Sequence, residues 1–136
     1  MFQVQCLKST TNKVTEVYGK YSMGPFLKGQ GTTIGNALRR VLLSNLQGLA
    51  ITGVRITGIE HEFSTISNIK EDVVEILLNL KQIILKGNIN EPTLARLNVK
   101  ETGIIVAEDI ELPNNITLVD PQQYIASLTD KGSLEM

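Results

Sequence analysis

Few residues in this chain have the types and spacing that chemistry requires. Gly29, Gly31 and Gly35 stand ahead of an apolar stretch, as glycines do where backbone N–H groups cradle a phosphate at a helix start. The spacing is neither G-x-G-x-x-G nor one ending in Gly-Lys-Ser/Thr. No acid lies between Glu16 and Glu60 to take a ribose hydroxyl about 20 residues on. A small phosphate- or nucleotide-binding enzyme using the Gly29 to Gly35 loop is therefore the alternative reading, and a turn with close helix packing is what these glycines otherwise serve. Glu60-His61-Glu62 sets the one histidine between two carboxylates. With no second histidine and no H-E-x-x-H, it predicts a hydrogen-bonded structural side chain beside a strand end rather than a metal ligand. Glu71, Asp72 and Glu75 are the acids that the positive end of a helix dipole favours. The lone Cys6 has no intrachain partner and reads as a small residue of an N-terminal strand. No triad, paired carboxylates or Mg²⁺ motif is present, so no catalytic residue, metal or cofactor is expected in the chain itself.

Arg39-Arg40 is different, because the surrounding segment is apolar and carries no nearby acid. Residue type alone leaves a solvated pair and an interface anchor equally open.

The elements that must carry these groups follow from periodicity. Residues 13–21 alternate as a strand, and Gly24-Pro25 turns the chain. Thr32 or Thr33 would cap a helix over 34–46 ended by Gly48. Its stripe is Ile34, Ala37, Leu38, Val41 and Leu42, with Arg39, Arg40 and Leu43 beside it. Residues 51–59 alternate with period two as a strand. Residues 70–85 form a second helix with acids first and Lys later, its stripe Val73, Ile76, Leu77, Leu80 and Ile84, and with Glu75, Asn79 and Gln82 toward the polar side. Further strands are expected over 94–99, 104–107, 116–119 and 124–128.

A chain of 136 residues can build a core without staples, and with no Trp and only three Phe and three Tyr the core is aliphatic. Residues 1–50 carry six Lys/Arg against one acid and the remainder seven against thirteen, a sign change that suggests a domain boundary near 50. An acidic, aromatic-poor larger part is poorly suited to grip phosphate backbones, so no direct DNA contact is expected. No apolar run reaches the ~18 residues of a membrane span, and no presequence is evident, so a soluble protein is expected.

Residues 29–43, then His61-Glu62-Phe63-Ser64-Thr65, then 70–81 occur in an order and spacing that resemble the N-terminal region of the alpha-subunit family of bacterial-type DNA-directed RNA polymerases. Ala107-Glu108-Asp109-Ile110 and 125–130 are similar to the family less distinctively. The Gln30-containing helix entry looks most like cyanobacterial and plastid versions. Fifteen Ile, ten Asn and nine Lys against four Arg fit an AT-rich genome, which points to a plastid stroma or a bacterial cytoplasm.

The resemblance implies an α+β fold. Residues 1–47 would begin a discontinuous dimerisation platform of a strand and a long helix, and 48–136 would be an inserted mostly-β subdomain carrying one helix, incomplete at its C-terminus. It implies an assembly subunit: alpha dimerises and docks beta and beta-prime, which hold the nucleotidyl-transfer chemistry and its Mg²⁺. Carried over by position, Arg40, Leu43 and Glu75 match beta contacts and Lys81 a beta-prime contact, while Ile34, Ala37, Leu38, Val41 and Leu42 would face the second alpha. In the family the platform is completed by segments beyond the insert, so a chain ending at Met136 is expected to be a fragment or a truncated form that dimerises weakly.

Overall fold

The computed structural model describes residues 2–13, 16–89, 91–130 and 132–136. The chain forms two compact units, Met1–Gly48 and Leu49–Met136. Two α-helices and nine short strands are found among the described residues, all strand pairs being antiparallel, an α+β architecture.

In the first unit β1 (Gln3–Lys13) pairs with β2 (Glu16–Gly24), and α1 (Gln30–Ser44) follows. The strand expected over 13–21 is thus divided between two strands, with residues 14–15 outside the described residues. A bulge between Cys6 and Lys8 adds one residue to β1 and resets its alternation. The pairs Val4–Met23, Cys6–Tyr21, Ser9–Gly19 and Thr11–Val17 consequently share one face. A side chain at Gly19 would sit 2.8 Å from the Tyr21 ring, so glycine there leaves room for that ring.

Helix α1 starts four residues before the expected position. Gly29, at φ 90°, occupies the N-cap in a left-handed conformation that glycine adopts without steric cost. The turn before it is closed from both sides: the Gln30 N–H donates to the Leu27 carbonyl and the Leu27 N–H to Gln30 Oε1, each at 3.1 Å. Thr32 and Thr33, the expected caps, lie inside the first turn, where the Thr33 hydroxyl donates to the Gly29 carbonyl instead of accepting. The helix closes at Ser44, whose hydroxyl donates to the Arg40 carbonyl at 2.7 Å, with Asn45 as C-cap, so Gly48 does not end it.

The second unit holds the core. Residues 51–59 are not a strand. Ile51, Val54, Ile56 and Ile59 pack on the core while Thr52, Gly53, Arg55 and Thr57 are exposed, and the Thr57 N–H donates to the Glu135 carbonyl. The inward residues come from both of the faces that alternation would separate, and the Ile59 N–H closes a turn on the Ile56 carbonyl, so the segment covers the core without being a strand.

Helix α2 (Val73–Lys81) is shorter than expected at both ends. Asp72 is extended and accepts the Glu75 N–H at 2.9 Å, an N-cap, and the helix stops at Gln82. Val73, Ile76 and Leu80 are buried as expected, but beyond the helix the buried residue is Ile83, and Ile84 is exposed. Short strands follow: β3 (Leu85–Gly87), β4 (Arg96–Val99), β5 (Gly103–Val106), a 3-10 turn Ala107–Asp109, β6 (Ile110–Glu111), β7 (Ile116–Leu118), β8 (Tyr124–Leu128) and β9 (Leu134–Glu135). β3 pairs with β7, β5 with β8, and β4 lies between β6 and β9. Ile76, Leu97, Ile105, Ile125 and Leu134 are essentially sealed from solvent at the centre of this unit. None of the described helices is long and apolar enough to cross a membrane.

Candidate functional site

The residues singled out by sequence fall on the two helices, in different units. On α1, successive residues turn by roughly 100°, so Ile34, Ala37, Leu38, Val41 and Leu42 form one continuous stripe. No residue of α1 is buried: Leu38 is 42 % exposed, Val41 48 % and Leu42 60 %. Arg40 and Leu43 are not beside this stripe in the way periodicity suggested. Leu43 lies almost diametrically across the helix, 75 % exposed, with Arg39 and Arg40 about 40–60° to either side of it. α1 thus presents two apolar surfaces, a broad stripe and a single exposed leucine flanked on the helix by two arginines.

α2 repeats the second arrangement. Val73, Ile76 and Leu80 face the core, and the opposite side is centred on Leu78, 57 % exposed, with Glu75 and Lys81 each about 60° away. Glu75 and Lys81 are both exposed. Leu78 was not picked out from sequence, although the helical period that defines the stripe leaves it off that stripe and was the signal that could have found it.

The acids at the start of α2 do more than complement its dipole. Asp72 caps the helix, but Glu71 is buried and accepts two bonds from β8: one from the Tyr124 hydroxyl, the other from the Ser127 N–H at 2.7 Å. Burial by itself would raise the Glu71 carboxyl. The bonds from Tyr124, Ser127 and its own backbone, with the Lys70 ammonium nearby, instead hold it below the usual carboxylate range. Burial, then the bond to Glu71, pushes the Tyr124 hydroxyl above its ordinary value. At the other end of α2, Asn79 Nδ2 donates to the Ile125 carbonyl at 2.8 Å. These contacts link residues 46 to 56 positions apart, beyond the reach of any local pattern.

The remaining candidates are used locally. His61 is exposed and its Nδ1 lies 3.1 Å from the Ser64 hydroxyl, which also donates to the His61 carbonyl, so the histidine is hydrogen-bonded, although no strand ends beside it. Among the described residues no three His, Cys, Asp or Glu side chains gather as metal ligands. Gly31 and Gly35 lie within α1 and only Gly29 of the three precedes it, so these glycines do not form one loop ahead of the helix. Cys6 is exposed on β1.

Residues 54–136 match the family described as the RNA polymerase Rpb3/RpoA insert domain. Over its whole length the chain is 57 % identical to the DNA-directed RNA polymerase subunit alpha of Emiliania huxleyi, covering 44 % of that protein. It is 48 % identical over 99 % of its length to the subunit of the same name from Synechocystis, and 52 % identical over 98 % to that from Cyanidium caldarium, covering 43 % of each. The chain therefore spans less than half the length of the curated relatives it matches, which come from plastid-bearing algae and cyanobacteria.

Proposed function

The chain belongs to the RNA polymerase alpha-subunit family, whose insert domain it contains, and from that premise we propose that it is a non-catalytic assembly subunit of a DNA-directed RNA polymerase. Residues 1–47 begin the dimerisation platform and 48–136 form the insert. Ile34, Ala37, Leu38, Val41 and Leu42 pack against a second alpha subunit. Arg40, Leu43 and Glu75 dock beta, and Lys81 docks beta-prime. The nucleotidyl-transfer chemistry and its Mg²⁺ reside in those large subunits, and the complex works in a plastid stroma or a bacterial cytoplasm.

The observation that carries this reading is α1 itself, a 15-residue amphipathic helix with no buried residue. Helices in proteins draw most of their stability from packing an apolar face, so an open stripe calls for a covering partner, which a second alpha subunit supplies in this reading. Arg40, on the far side, can place its planar guanidinium on partner carboxylates or carbonyls once water is excluded.

Recovery of the beta subunit on the affinity-tagged chain, compared between wild type and Arg40→Ala, tests the docking role. A buried hot-spot arginine costs on the order of 2 kcal/mol on truncation, so recovery should fall severalfold or more. Equal recovery would remove Arg40 from the interface.

A further inference from the structure

The outer face of α2 is only as well aimed as the helix that bears it, and α2 has just nine residues. Apolar contacts of Val73, Ile76 and Leu80 hold it to the core but are non-directional, so they specify its starting point and rotation less sharply. Hydrogen bonds are not so tolerant. We propose that Glu71 is a positioning residue: gripped by the Tyr124 hydroxyl and the Ser127 N–H of β8, it fixes where α2 begins and which way it is turned, so that Glu75, Leu78 and Lys81 point outward together.

Three observations converge on this role. Glu71 is a buried carboxylate directly before the N-cap Asp72, so its displacement is passed straight to the first turn. The chain leading to it is strapped to the same strand: the Lys70 N–H donates to the Ser127 carbonyl, and Ile69 bridges Leu128. At the far end of the helix Asn79 donates to the Ile125 carbonyl, so both ends of α2 are referred to β8. Between the two anchors Ile76 and Ile125 are fully buried. Loss of the carboxylate would leave the Tyr124 hydroxyl and the Ser127 N–H without their acceptor and free the start of the helix.

The proposal rests on the reading that the face of α2 docks a large polymerase subunit, and the test separates the two. The full chain, in wild-type, Glu71→Ala, Glu71→Gln, Leu134→Ala and Glu75→Ala forms, is titrated with the beta subunit from the same source. Far-UV circular dichroism establishes that each variant is folded, and amide hydrogen exchange is followed across 74–77. Glutamine can keep both bonds, accepting from Ser127 with Oε1 and donating from Nε2 to the Tyr124 oxygen, so it should restore what alanine removes. Glu71→Ala should bind beta about tenfold more weakly and exchange 74–77 about tenfold faster, while Glu71→Gln stays near wild type. Leu134→Ala, which weakens the same core from β9 while leaving the bonds of Glu71 intact, should lower stability without this loss of binding. Unchanged exchange at 74–77 in Glu71→Ala, or no rescue by glutamine in a folded protein, overturns the clamp. So does a binding loss matched by Leu134→Ala. Unchanged binding by Glu75→Ala overturns the docking reading alone, and the exchange data then judge the clamp by themselves.

Discussion

At the scale of single residues, the side chains with the most to say are those whose surroundings contradict their type. Leu43 and Leu78 are apolar yet exposed, each set between two charged residues, whereas Glu71 is charged yet buried. The Glu71 carboxyl titrates below the usual range in the folded chain, so its contribution is complete above the ordinary carboxylate value and is lost as pH falls through the lower folded value. Acid denaturation of Glu71→Gln should accordingly show a shallower loss of stability through that window than wild type. Parallel acid curves would mean that Glu71 is not the group responsible. Tyr124 acts at the other limit: its raised value means that stability is held below the ordinary phenol range and declines as pH rises through and beyond it. Tyr124→Phe should remove that alkaline decline.

At the scale of elements, both helices are set by their first residues. Gly29 at φ 90° has nothing within 4 Å of where a side chain would be, so Gly29→Ala meets no clash but takes the left-handed penalty, about 1–2 kcal/mol against the α1 entry turn. Thermal melting should register that loss only if α1 unfolds cooperatively with the rest of its unit. Asp72→Ala removes the N-cap of α2 and should cost about 1 kcal/mol, read as a lower denaturation midpoint for the insert. The stripes of both helices were legible because 3.6-residue periodicity is a local property. Their limits were not, because a left-handed glycine can start a helix where a hydroxyl was expected, and because α2 begins only after Asp72, which caps it by accepting the Glu75 N–H, and not at Lys70. The segment 51–59 shows the same limit from the other side: alternation separates Ile51 and Ile59 from Val54 and Ile56, yet all four pack on one core, because a segment without a ladder partner need not keep the pleat that gives period two its meaning.

At the scale of the whole molecule, the two units differ in what they can do alone. The insert buries a closed aliphatic core around Ile76, Leu97, Ile105, Ile125 and Leu134, and truncating Ile76 to Ala should cost about 2–5 kcal/mol there. The first unit carries a helix with no buried residue and an open apolar stripe, the face proposed to pack on a second copy. Leu38→Asp should then lower the mass-average size seen by light scattering at high concentration, with the insert's melting unchanged. The order of the motifs made the family recognisable, and the exposed α1 stripe gives the assembly role its physical ground. The clamp from Glu71 to β8 was invisible in the sequence because it joins groups more than fifty residues apart.

The central claim is that α1 serves two partners from opposite sides. Photo-crosslinkers placed singly at Leu38 and at Leu43, in the chain assembled with beta and beta-prime, test it most directly. Position 38 should yield a product with a second alpha copy and position 43 a product with beta. Reversal of the two products, or the same partner captured from both positions, would contradict it.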